Sequence, residues 1–132
     1  MPDLVWSMDW NVGESTVDAQ HQGILTLINV ISAARDRPIS RLDREIFVHQ
    51  VISELVAYAE AHFRYEEALM ARIGFPDLGP HKGIHLHFRQ QVIDLAAKVG
   101  GEPDGLSDLQ AFLSGWLRTH ILEQDHRYKP YL

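Results

Sequence analysis

Five histidines and two acids on separated stretches of a 132-residue chain form its most chemically suggestive set: His21, His62, Glu66, His81, His85, His120 and Asp125. His62 and Glu66 stand four residues apart, as do His81 and His85, so on a helix each pair shares one face. The chain has no cysteine, so any metal held here is held by nitrogen and oxygen. That donor set suits iron, copper, nickel, manganese or zinc better than iron–sulfur chemistry. Seven donors exceed the four that close a structural zinc site. They suit two octahedral ions bridged by carboxylates.

Each residue alone has an ordinary explanation. A single histidine on an apolar helix face is commonly a hydrogen-bonded core residue, and Glu66-Glu67 reads as a solvated charge run. Position shifts the balance. His62 lies seven residues after Leu55 and His120 seven after Leu113, each continuing an apolar stripe, while His21 precedes Ile24, Leu25 and Ile28. Burying such groups unpaired costs on the order of several kcal/mol per charge, and a shared metal centre removes that cost for all of them together. Three histidines stay outside. His87 follows His85 by two residues, about 200° around an ideal helix. His126 merely adjoins Asp125, and His49 lies off the face of His62. These three belong at the surface or behind the ligands.

Three breaks define the elements that must position the site: Asp36-Arg37-Pro38, the stretch from Gly74 to Pro80, and the stretch from Gly100 to Gly105. Ser40 with Asp43 reads as an acidic capping box, and Ser107 with Gln110 and Ser15 with Asp18 give further capping signals. The predicted helices are 17–36, 41–73, 80–99 and 106–123. Apolar residues recur along them at helical spacing: Val17, Ile24, Leu25, Ile28 and Ile31 in the first, Val48 through Met70 in the second, Ile84, Phe88, Val92 and Leu95 in the third, and Leu106 through Leu117 in the fourth. Short connections favour antiparallel neighbours, hence an all-α, up-down-up-down antiparallel four-helix bundle. Ahead of it, Trp6, Met8, Trp10 and Val12 alternate with polar residues. A lone strand would have no partner, so an extended N-terminal arm across the bundle is expected. The chain reads as one domain, with the arm over 1–16 and the bundle over 17–132.

Composition narrows the function. With 45% apolar and 23% charged residues the chain is an ordinary globular domain, and a net charge of −6 argues against nucleic acid as a partner. No apolar run approaches the ~20 residues of a membrane helix, and Met1 to Trp10 lacks the pattern of a secretory signal, so no membrane insertion and a cytoplasmic location are expected.

The sequence resembles the hemerythrin family, in particular its single-domain bacterial branch. The resemblance is carried by Val17-Asp18-Ala19-Gln20-His21, His62-Phe63-Arg64-Tyr65-Glu66-Glu67, His81-Lys82-Gly83-Ile84-His85 and His120-Ile121-Leu122-Glu123-Gln124-Asp125. It implies a non-haem di-iron centre, two iron ions with an oxo or hydroxo bridge. His81, His85 and His120 would ligate one iron, His21 and His62 the other, with Glu66 and Asp125 bridging. The two-histidine iron would keep an open position for dioxygen, walled by Ile24, Phe63, Phe88, Trp116 and Leu117, with Ile24 and Leu117 nearest the gas. The expected function is reversible dioxygen binding, as carrier, store or local supplier, rather than enzymatic turnover. The competing readings are an oxygen or redox sensor acting through a signalling partner, and a di-iron enzyme acting on peroxide or nitric oxide. For the carrier reading an oxygen-consuming enzyme is one partner to expect, beside the signalling partner of the sensor reading. Gly83-Ile84 departs from the acidic, more helix-favouring residues expected between His81 and His85, which should weaken the third helix locally.

Overall fold

Four helices dominate the computed structural model, which describes residues 4–102 and 104–132; Met1 to Asp3 of the arm and Pro103 of the third break lie outside the described residues. They are α1 (Ser15–Ala34), α2 (Arg41–Arg72), α3 (Leu78–Ala96) and α4 (Gly105–Thr119). Each packs on its neighbour in sequence, and α4 closes the ring against α1, giving the four-helix bundle. Among the described residues, no helix is long and apolar enough to cross a membrane.

Local chemistry sets most boundaries. Ser40 caps α2 as expected, its hydroxyl accepting from the Asp43 N–H at 3.1 Å. Gly74, at φ 73°, takes the left-handed conformation that ends α2. The other two capping signals are not realised as read. Glu14, not Ser15, caps α1 by accepting from the N–H groups of Thr16 and Val17. Asp18 instead reaches back to the N–H groups of Val12 and Gly13, at 2.8 and 3.2 Å. The fourth helix starts at Gly105 with no side-chain cap; Ser107 lies inside it and meets Arg35, while Gln110 is buried. Helix α3 begins two residues before Pro80, because a first-turn proline lacks only an N–H that has no helical partner there. It also ends at Ala96, short of the expected residue 99.

The fourth helix departs most from its expected course. After Thr119 the chain widens into one π turn, His120–Gln124, before 3-10 turns over Asp125–Arg127 and Lys129–Tyr131. The Asp125 N–H bonds to the carbonyl of His120, five residues back, as well as to that of Ile121.

Two apolar clusters lie on either side of one polar layer. The larger contains Ile24, Leu55, Phe63, Phe88, Leu113, Leu117 and Ile121; the smaller contains Val12, Val17, Leu69, Met70, Phe75 and Tyr128. The first three helices, and the turns that follow α4, pass from one cluster to the other through the residues with ligand chemistry. On α1, for example, the order is Val17, His21, Ile24.

The arm is only partly extended. A 3-10 turn at Met8–Trp10 interrupts the alternation, so Trp10 and Val12 are buried while Met8 points outward at 78% exposure. Asn29 pairs with both the N–H and the carbonyl of Leu4, at 2.9 and 2.8 Å, fastening the arm to α1.

Helix α3 runs unbroken through Gly83, where an added Cβ meets nothing within 4 Å. The intrinsic cost of glycine in a helix is therefore uncompensated by packing. Gly83→Ala should raise stability by about 0.5–1 kcal/mol, read from urea melts of metal-loaded protein.

Candidate metal centre

The polar layer is built from α1, α2, α3 and the π turn that continues α4. His21 comes from α1, His62 and Glu66 from α2, His81 and His85 from α3, and His120 and Asp125 from the π turn and its end. All seven are buried, and both acids are fully so. The π turn makes the last pair meet. Five residues of α-helix advance about 500°, which would leave Asp125 about 140° from His120. The wider i→i+5 winding of a π turn instead narrows that angle, so residues five apart come closer to one face. The His120 Nε2 to Asp125 Oδ1 distance is 3.0 Å.

The donors fall into two overlapping groups. Glu66, His81, His85, His120 and Asp125 offer atoms within 4.8 Å of one another, and so do His21, His62, Glu66 and Asp125. Both acids belong to both groups, one oxygen to each. Glu66 Oε1 lies 3.1 Å from His81 Nε2 and 3.0 Å from His85 Nε2, while Oε2 lies 3.7 and 3.6 Å from the Nε2 atoms of His21 and His62. Asp125 divides the same way, Oδ1 toward His81 and His120 at 3.0 Å and Oδ2 toward His21 at 2.9 Å.

These groups fit metal ions. Asp125 Oδ1 and Oδ2, His21 Nε2 and His62 Nε2 are buried without a hydrogen-bond partner. The short Asp125 contacts thus have hydrogen-bond length but not hydrogen-bond direction. His85 Nε2 and His120 Nε2 face each other at 3.3 Å, close enough to share a proton or to engage one cation. Imidazole and carboxylate together suit iron, with both acids placed to bridge two ions.

Aromatic packing and hydrogen bonds orient the rings. Phe63 stacks on His85 at 3.9 Å and Trp116 on His120 at 4.5 Å, and Phe88 packs against Trp116 at 3.9 Å. Three of the expected wall residues therefore lie on the three-histidine side. Ile24, one turn beyond His21, and Leu117 are buried in the larger cluster. His62 Nδ1 donates to Gln20 Oε1 at 2.6 Å, His85 Nδ1 to Glu67 Oε2 at 2.8 Å, and Tyr128 Oη to Glu66 Oε2 at 3.0 Å. Sequence reasoning missed these three partners. Glu67 looked like half of a solvated charge run, and nothing in periodicity distinguishes Gln20 or Tyr128 from ordinary helix residues. The excluded histidines stay apart from the layer. His49 is exposed, His87 is exposed beside Gln91, and His126 spans the carbonyls of Ile121 and Asp9, pinning the π turn to the arm.

Electrostatics follow from burying two acids among five imidazoles. Burial presses Glu66 and Asp125 upward, and Glu66 presses Asp125 further, yet the surrounding histidines hold both below the usual carboxylate range. Burial pulls His21 and His120 down, but Asp125 and Glu66 reverse this, taking them up to about 9 and about 10. His81 is raised by the same carboxylates against the pull of burial. His62 is taken down to about 4, chiefly by burial. Burial, then the charges of Glu66 and Asp125, push Tyr128 above its ordinary value, so it remains a hydroxyl donor.

The family model described as the hemerythrin HHE cation-binding domain matches residues 12–132. The chain belongs to the hemerythrin family. A bacteriohemerythrin of Stenotrophomonas maltophilia is 34% identical over 125 residues, covering 95% of this chain and 78% of that one. A hemerythrin-like protein of Naegleria gruberi is 30% identical over 127 residues, covering 96% and 92%. Wild-type hemerythrin superposes with a TM-score of 0.82 at 26% identity, covering 98% of this chain and 97% of that one. The family is one of di-iron, oxygen-binding proteins, and this chain carries a buried histidine–carboxylate cluster suited to that cofactor.

In metal-stripped protein, His21 and His120 are raised above their ordinary 6.5. The stability they contribute is complete below that value and is lost as pH rises through about 9 to about 10. The melting temperature of stripped protein should fall between pH 7 and pH 10, with that of iron-loaded protein nearly level. Loading at pH 7 should release protons, measurable with an indicator dye in weak buffer.

Proposed function

We propose that this hemerythrin-family protein binds dioxygen reversibly, as a carrier, store or local supplier. In this reading His81, His85 and His120 would hold one iron and His21 and His62 the other, with Glu66 and Asp125 shared between them. The observation that carries the reading is the inequality of the two donor groups. One offers three histidines and the other two around the same pair of acids, so an ion in the second group would keep a coordination position for an external ligand. Two irons, when bound, would lend electrons to dioxygen and take them back on its release.

The chain's own residues favour retention over cleavage. As ligands, five neutral imidazoles would outnumber two carboxylates, whereas ferritin-like di-iron sites use four carboxylates with Glu-x-x-His pairs. Ile24 and Leu117 form the apolar wall nearest the open position. Phe63, Phe88 and Trp116 seal the opposite side against His85 and His120. Together they exclude water and anions. Tyr128 keeps its proton on Oη, directed at Glu66 Oε2, so the buried acid meets a fixed donor rather than solvent.

The test is to reduce iron-loaded protein anaerobically, admit oxygen and then remove it while following the visible spectrum. A colour that appears and fades over repeated cycles is expected. A single irreversible change with product formation would overturn the reading in favour of an enzyme. Leu117→Ala should enlarge and wet the pocket and shorten the lifetime of the oxygen-induced colour. An unchanged lifetime removes Leu117 from the wall.

A further inference from the structure

Behind the ligand layer, two imidazoles are held by partners of unequal charge. His85 Nδ1 lies 2.8 Å from Glu67 Oε2, a carboxylate, while His62 Nδ1 lies 2.6 Å from Gln20 Oε1, a neutral amide. In both rings Nε2 faces the layer, so Nδ1 carries the proton and donates it. Donation to a carboxylate draws that proton outward and makes the ring a stronger ligand; donation to an amide does so far less. A third contact acts in the same direction. Tyr128 Oη donates to Glu66 Oε2, the oxygen on the His21 and His62 side, and withdraws electron density from it. Glu66 Oε1 meets only the imidazoles of the other group.

We infer that Glu67, Gln20 and Tyr128 act as positioning residues that polarise the centre, making the three-histidine position the electron-rich, tighter site and the two-histidine position the electron-poor, weaker one. The inference rests on the ligand set proposed above but not on oxygen carriage. Each contact is fixed by the fold. Tyr128 is fully buried in the smaller cluster, Phe63 stacks on His85 within 10° of parallel, and Gln20 immediately precedes His21 on α1. The grading has a functional sense. The ion held by three histidines, one of them backed by Glu67, would secure the pair, while the ion with the open position would sit in the less donating environment and release electrons to its external ligand less readily.

Metal-stripped protein titrated with cobalt(II), followed by visible absorbance and calorimetry, tests the grading. Wild type should bind in two unequal steps. Glu67→Gln should weaken the tighter step by about 10-fold and leave the weaker one nearly unchanged, with Glu67→Asp recovering part of the loss. Gln20→Glu and Tyr128→Phe should each tighten the weaker step and narrow the ratio between the two. Equal weakening of both steps by Glu67→Gln, which a merely structural role would give, overturns the inference. So does an unchanged ratio in Gln20→Glu. If Glu67→Gln fails to fold by circular dichroism, the ratios in Gln20→Glu and Tyr128→Phe decide alone. No oxygen enters the titration, so loss of reversible oxygenation with graded steps intact would count against the proposed function only.

Discussion

Two carboxylates with no access to water are the constraint around which the bundle is organised. Glu66 and Asp125 are fully buried, and an unpaired carboxylate in that position costs several kcal/mol, of the order that holds a whole domain together. The first three helices and the π turn after α4 each contribute a group that answers that charge. Imidazole suits the task because it can carry a proton or offer a lone pair, so the same layer accepts protons or cations as its source of positive charge. The contacts that place the imidazoles against the acids are thus the contacts that gather metal.

Such a layer contributes little cohesion of its own, and its surroundings reflect this. Apolar clusters flank it, so each contributing segment is fastened on both sides of its polar residues. The larger cluster also supplies the aromatic faces that hold His85 and His120 in plane. A ring packed on an aromatic surface and hydrogen-bonded behind has little freedom to turn, and ligand directions are therefore set before any ion arrives. Stability and preorganisation come from the same side chains.

Much of this was legible in the sequence because it depends on period. Apolar stripes every three to four residues gave the helices, and the continuation of those stripes through His62 and His120 placed polar groups inside. The residues that spacing singled out meet in one layer. What spacing could not reveal has physical reasons. Ser107 carries a capping signal, but Gly105 starts the helix earlier, so the signal is never used. Met8 follows the alternation of the arm, yet a short 3-10 turn reverses its direction. Gln20 and Glu67 act through ring nitrogens whose orientation is a tertiary property, and Glu67 has the same local sequence appearance as a solvent-facing acid. On α3 and α4, Ile84, Leu95, Leu106 and Trp116 fit the periodic pattern but are only half-buried, since the stripe edges lie at the rim of the bundle.

The widened turn after Thr119 has a bearing on other chains of this architecture. An extra residue spliced into a regular coil is a mechanical defect in a spectator segment and a tool only where something downstream must be swung round. A histidine followed five positions later by an acid, at the close of a greasy segment, thus advertises an irregularity that helical-wheel reasoning passes over. Here the defect serves as a signpost, marking where ordinary winding was given up so that an acid could face inward.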